Sequence, residues 1–476
     1  MRVKLVSLCQ TETARAAGRP ALTPELLAAT GARYSRNNEG LDSILAKIDP
    51  NRIDQSVDAI FKMIDYGHQS IADMVPVAIF IDGVSAWLAY LAWSWSPQAG
   101  GQESSTRYIR MSPEARVDPV MLGIPEAQRP QWEAAMRAAF DHYARLEGGW
   151  QALSETSPGR MRVPAELLTD TGAKGLKQVA RMRRNYAFDR ARYLLPAAVA
   201  TNLMLVMSAR AWATLCQHLS SSPLPEARHL GAAIRAELEL GAPRLLRHAT
   251  AQESMVRGLA EELSSLAAEA RQGVPEHLRD GAGKADHSDA ATLDVLTPVG
   301  VDAQACAAAL RHHDNRYAWV GAALRRTAVR FGWQAVAFAD IRDLNRHRTG
   351  GKYCPPRPLG FYAADDQLPA AGEADFVKAP VQAVGEAITF GRAVTRQAHE
   401  LLAAEYPTYI YWTLLGSQFA FEHVTTADKF IYEAELRTGT GAHFRYAKHL
   451  HDALALWYAR FPETRTRVLE GTAEPE

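Results

Sequence analysis

The sequence predicts a helix-rich α+β fold laid out twice, each half with a small mixed or antiparallel sheet. Three observations predict it. Each half carries a short strand-like apolar run, residues 77–82 (VAIFID) and 335–340 (AVAFAD). Each half closes with long segments whose apolar residues recur at three- and four-residue spacing, the period of an amphipathic helix. Between the halves lies 272–289 (QGVPEHLRDGAGKADHSD), rich in Gly, Pro and charge and poor in apolar periodicity, which reads as a linker. The expected division is a first repeat over 1–271, the linker, and a second repeat over 290–476, since parallel ordering at this scale points to duplication.

The elements follow in order. The opening MRVKLVSLCQTE has too short an apolar run for a signal peptide. After the run 77–82 comes a helix-like segment and a turn-rich loop, SWSPQAGGQESSTRY, then an insertion over 116–172. Helical periodicity covers 181–220 and 225–239. Within it the longest apolar stretch, 194–207, carries Pro196, Thr201 and Asn202 and runs into Arg210, which reads as a core helix and not a membrane span. The second half repeats the order: 335–340, a helix-like segment, the loop NRHRTGGKYCPPRPLGFY, then helical stretches over 379–405 and 425–460. A frayed tail is expected after Gly471.

Composition narrows the function. Lys plus Arg and Asp plus Glu stand at 53 each, so the chain is neutral. That disfavours a protein that grips a long nucleic acid and leaves room for a local basic pocket holding a mononucleotide. Cys9, Cys216, Cys306 and Cys354 are isolated and form no CxxC pair. This argues against a zinc site or a disulfide framework and for a reducing cytoplasm.

Two motifs carry chemistry. Arg346-His347-Arg348 follows Asp-Ile-Arg-Asp-Leu-Asn and precedes Thr349-Gly350-Gly351. Two guanidiniums and an imidazole beside a glycine turn can face a diphosphate or an electron-rich ring. The plainer alternative is a solvated basic helix end that complements the macrodipole. Glu103-Ser104-Ser105-Thr106-Arg107-Tyr108 follows Gly100-Gly101. Backbone N–H groups, a hydroxyl and a guanidinium fork suit a phosphate monoester, against the alternative of a polar surface loop.

At these residues the chain resembles the flavin-dependent thymidylate synthases, whose motif joins Arg-His-Arg to Ser-x-Arg-Tyr. Here the motif is split. The second half has Arg346-His347-Arg348, with Pro356 where the Ser is due. The first half has Glu103, Ser105, Arg107 and Tyr108, with Trp95-Ser96-Pro97 where Arg-His-Arg is due. Arg192-Tyr-Leu-Leu-Pro196 resembles the family's nucleotide-holding Arg-x-x-Leu-Pro. Leu436-Arg437 resembles the Leu-Arg whose Arg lies against the pyrimidine; in the first half that place falls near His218-Leu219. Gly67-His68-Gln69-Ser70 is similar to a Gly-His-x-Ser of the flavin pocket, continued here by Asp73-Met74. Each half keeps what the other lost, as expected if two fused repeats share one site.

The resemblance implies reductive methylation at C5 of a pyrimidine nucleotide such as dUMP, with FAD, NADPH and methylenetetrahydrofolate. It assigns catalysis to Arg346 and Arg437, cofactor binding to Arg346, His347, Arg348, His68 and Ser70, and substrate binding to Glu103, Ser105, Arg107, Arg192 and Asp343. Asp343 stands where the family has Gln. A carboxylate there accepts and cannot donate. It either faces an amino group, opening cytosine as a base, or pairs with Arg342 or Arg346. The resemblance also implies a homodimer imitating the family's tetramer, with nucleotide and folate as partners and neither nucleic acid nor membrane. Two other readings stay open: a nucleotide- or flavin-binding protein of this fold without catalysis, and a nucleic-acid-modifying enzyme.

Overall fold

The computed structural model describes residues 1–36, 40–49, 51–62, 70–279, 290–370, 372–373 and 378–474. They form two compact units. Unit 1 comprises 1–104, 116–124 and 200–263; unit 2 comprises 105–115, 125–199 and 264–476. This spatial division is not the sequence division at 272–289, because much of the first half belongs to unit 2.

Unit 1 holds an antiparallel sheet of β1 (Arg2–Val6), β2 (Pro76–Ser85), β3 (Gly100–Glu103) and β4 (Ala200–Ser208), in the order β1-β2-β4-β3. β4 corrects the core-helix expectation for 194–207. Pro196 has no N–H to continue a helix, and beyond it Thr201, Leu203, Leu205 and Met207 turn inward at the two-residue period of a strand. β2 and β3 take up its backbone hydrogen bonds on either side. An unbroken apolar run does not distinguish the two states by itself. At the end of β2, Ser85 caps the helix Ala86–Ser94, its Oγ accepting from Leu88 N at 3.0 Å. The same Ser85 donates to the buried Glu226 from N (2.8 Å) and from Oγ (2.7 Å).

Unit 2 holds β5 (Thr292–Leu296), β6 (Ala328–Ala337), β7 (Gly351–Tyr353), β8 (Gly360–Phe361) and β9 (Ser417–Thr426), in the order β5-β6-β9-β7 with β8 also on β9. The run 335–340 is strand only to Ala337; Phe338–Leu344 is a helix. The insertion carries the helix Arg129–Thr156, whose buried Trp132, Met136, Phe140, Tyr143, Leu146 and Trp150 recur every three or four residues. That stripe packs on the helices Ala173–Ala191 and Lys378–Ala403. The stretch 425–460 is the end of β9 and two helices, Ala427–Thr438 and Phe444–Arg460, separated at Gly439–His443. Residues 471–474 are held in place, against the expected frayed tail: Gly471 N donates to Thr438 Oγ1 (3.0 Å) and Ala473 N to Thr438 O (2.6 Å). Of the linker, 272–279 contains the turn Glu276–Leu278 with Leu278 buried; 280–289 lies outside the described residues.

The two sheets have the same strand order. Their second strands, β2 and β6, each carry a register break, at Asp82/Val84 and Trp333/Val336, and each runs into a helix. Each helix leads to a glycine against the last long strand. A Cβ on Gly101 would lie 1.8 Å from Met204 O, and on Gly350 1.9 Å from Val424 O. No helix among the described residues is long and apolar enough to cross a membrane.

Candidate functional site

Arg346-His347-Arg348 leaves the C-terminal end of the helix Phe338–Leu344 in a tight turn, with His347 N donating to Leu344 O at 3.2 Å. The preceding turn of that helix points Asp340 and Asp343, three apart, into the core. Both receive Arg192, from the turn Arg192–Leu194: Nη2 donates to Asp340 Oδ1 and Nη1 to Asp343 Oδ2, each at 2.8 Å. Arg192 is 1% exposed. A buried guanidinium needs such carboxylates to offset its desolvation.

The two carboxylates titrate apart. Burial pushes Asp343 up, but Arg192, Arg346, Arg107 and Arg437 outweigh it and hold the group well below the carboxylate range. Burial pushes Asp340 up to about 6 against Arg192 and Arg445. Asp343 thus meets Arg192 first; Arg346 Nε is farther, at 3.8 Å, and the Arg346 side chain remains 39% exposed.

Arg437, in the last turn of the helix Ala427–Thr438, donates from Nε to His347 Nε2 (2.7 Å) and from Nη2 to Asp343 O (3.1 Å). The imidazole must leave Nε2 bare to accept, so His347 is neutral with its proton on Nδ1. Burial lowers its pKa to about 3, with Glu433 opposing and Arg437 reinforcing. Behind it His423 Nε2 donates to Thr349 O (2.6 Å), and His423 Nδ1 lies 3.0 Å from Glu433 Oε2. Burial pushes Glu433 up, but His347 and His423 bring it down to about 2. Arg348 is lowered by burial and by Arg346.

The loop at 105–108 joins this cluster within unit 2. Arg107 grips Asp189 with Nε (2.8 Å) and Nη2 (2.9 Å), while Nη1 donates to Gly441 O (3.1 Å) and Tyr446 Oη (3.3 Å). Ser105 Oγ accepts from Arg107 N at 3.2 Å. The Tyr446 ring centroid lies 5.2 Å from Arg437 Cζ, so one tyrosine touches two arginines that are 330 positions apart in the sequence. Arg107, Arg192, Arg346 and Arg437 face Asp189, Asp340 and Asp343. The surplus is positive, and it suits an anionic ligand.

Ser70 and Glu103 belong to unit 1. Ser70 is exposed and opens the helix Ser70–Asp73; Glu103, on β3, accepts from Trp93 Nε1 at 3.1 Å. His68 lies outside the described residues. Sequence reasoning missed Asp189, Asp340, Tyr446 and Glu433. Asp189 had a visible signal: it is the sole acid in a helix rich in Arg and Lys, three residues before Arg192.

Residues 21–244, just under half of the chain, match the family described as thymidylate synthase complementing protein. No curated protein matches the chain. Among solved structures, similarity is found to the UMP/dUMP methylase PolB from Streptomyces cacaoi bound with 5-Br dUMP. The identity is 14%, covering 52% of this chain and 93% of that one, with a TM-score of 0.31.

Proposed function

We propose, on the premise that the match of residues 21–244 to the thymidylate synthase complementing protein model marks this chain's family, that it methylates C5 of a pyrimidine nucleotide such as dUMP, reductively, at one site shared by two repeats. One observation carries the reading. Arg107 and Arg192 from the first half and Arg346 and Arg437 from the second converge around Asp343 in one compact unit. The shared strand order and the paired register breaks of the two sheets support descent from a duplication. Two such chains would bring four repeats together, as in the family's tetramers.

The cationic side of the site suits a dinucleotide. Burial and the neighbouring Arg346 disfavour the charge on Arg348, and a diphosphate would offset both. When bound, FAD would supply the hydride, methylenetetrahydrofolate the carbon, and NADPH the electrons that restore the flavin. The protein's own part is positional and electrostatic. C5 of a uracil ring is a poor nucleophile until negative charge on the ring is stabilised. Arg437, fixed by neutral His347 and by the Asp343 carbonyl, is held rigid for that task, and Arg346 adds a second guanidinium. Arg107 and Ser105 would hold the phosphate, so that remote binding energy orients the base. Arg192, taken up by Asp340 and Asp343, braces the helix that carries Arg346. Asp343 is equally engaged, which favours uracil over a base presenting an amino group to it.

The test is the visible spectrum of the protein with FAD, beside Arg346→Ala. A bound-flavin spectrum is expected in the parent and its loss in the variant. Oxidation of the reduced flavin on adding dUMP and methylenetetrahydrofolate then separates an enzyme from a binding protein. Absence of flavin binding in the parent would end the reading.

A further inference from the structure

Two residues before Arg192 lies Arg190, a second buried guanidinium that the reading above does not use. It is 1% exposed. It lies over the Tyr186 ring at 3.4 Å from the centroid and 4.4 Å from that of Phe444. Its hydrogen bonds are long. Nη1 donates to Tyr186 O (3.2 Å), Nη2 to Gln367 Oε1 (3.4 Å), and both reach the same oxygen of Glu474, Oε1, at 3.2 Å; Nε has no hydrogen-bond partner. A fork suited to bidentate anions is thus met by one carboxylate oxygen.

That carboxylate arrives on a strap. Residues 471–474 run back along the helix end at Thr438, and Arg162 donates to Thr472 O. The strap is strained where it meets Arg190: Ala473 has φ 54° and Glu474 φ 32°, in the left-handed region that non-glycine residues avoid. Glu474 also lines a small pocket open to solvent, together with Arg107, Asp189, Asn185 and Tyr186. The pocket therefore has the phosphate-loop arginine on its wall and an acidic side chain from the strap beside it.

We propose that Arg190, buried behind Glu474 at the edge of this pocket, becomes a further anion-binding residue when a phosphate monoester displaces the strap and takes the place of the Glu474 carboxylate. A phosphate brings more charge and more acceptor oxygens to the fork than the carboxylate does. The strap's strained residues release on leaving. The identity of the ligand as a mononucleotide rests on the proposed function; the anion site itself does not.

The test measures binding of dUMP and of inorganic phosphate by calorimetry to the full chain, to Glu474→Gln, and to a chain ending at Glu470. If the strap occupies the site most of the time, removing its charge raises apparent affinity by roughly tenfold, the reciprocal of a competent fraction of about one tenth. Arg190→Lys in the Glu474→Gln background should cancel the gain, since an ammonium cannot reproduce the fork. Tightening of both ligands supports the proposal. Tightening of phosphate with no binding of dUMP keeps the anion site and sinks the nucleotide reading. Unchanged or weaker affinity for both ligands in Glu474→Gln and in the shortened chain overturns the proposal, as does failure of both ligands to bind any form. A strap that merely stabilises the fold would lower the melting temperature of both variants without improving affinity, which also counts against it.

Discussion

The corner where β2 enters the helix Ala86–Ser94 and the corner where β6 enters the helix Phe338–Leu344 share a scaffold and differ in equipment. Gly100 pairs with Val206 and Gly351 with Val424, so counting back five residues sets Trp95 against Arg346. In unit 2 the corner holds two buried aspartates and the Arg437–His347 bond. In unit 1 the helix Ala86–Ser94 (AWLAYLAWS) has no carboxylate at all. Trp95 there stacks on His218, with centroids 5.3 Å apart and planes at 26°, and His218 Nδ1 is 2.9 Å from Thr214 O. Bulge and close-packed glycine are present in both; charge is present in one. Two rings can close a corner without counterions, whereas buried guanidiniums require carboxylates to be retained with them. Geometry and charge have been kept independently.

The largest effect should come from breaking that retention. Asp343→Asn leaves Arg192 in the core with half its neutralisation. A loss of about 3–5 kcal/mol is expected for an uncompensated buried charge, read as a lowered urea midpoint. A midpoint within error of the parent would mean that the charged corner is no more demanding than the aromatic one.

Next comes Arg437→Ala. Removing a guanidinium aimed at developing negative charge should cost about 10²–10³ in turnover. His218→Ala, from the aromatic corner, should leave turnover unchanged. Equal losses in both would show that unit 1 also carries a working site.

The smallest effect is a pH slope. Burial raises Asp340 to about 6 in the folded state, above the ordinary aspartate value near 4. The folded protein therefore holds an extra proton between these values. Stability from this group is full below the lower value and is lost as pH rises through the upper one, by up to about 3 kcal/mol. Asp340→Asn should flatten that part of the stability curve relative to the parent, while Trp95→Phe should not. Identical slopes in parent and Asp340→Asn would show that Arg192 holds Asp340 ionised throughout.

Much of this was legible in the sequence, for physical reasons that differ by element. The helix Lys378–Ala403 falls almost where periodicity over 379–405 placed it, because one face is consistently apolar. β4 was hidden because the face opposite Thr201, Leu203, Leu205 and Met207 also carries apolar Met204 and Val206, which blurs the alternation. β3 and β7, at four and three residues, are too short to show any period. Arg107 and Arg346 could be found because a guanidinium near a glycine turn is chemically conspicuous, and Arg437 because Leu436-Arg437 resembles a family motif. Their holders could not: Asp189 and Tyr446 matter only because residues far apart in the chain come to one place.

The discontinuity of unit 2 has a consequence for the order of synthesis. Arg192 is made 148 residues before Asp340, its buried partner. At typical elongation rates that is a delay of roughly 7–30 s. During it, the apolar stripe of the helix Arg129–Thr156 also lacks the Lys378–Ala403 face that later covers it. A ribosome releasing this chain thus carries a long-lived, sticky half-structure, and the first half expressed alone should partition into aggregates unless the second is supplied in the same cell.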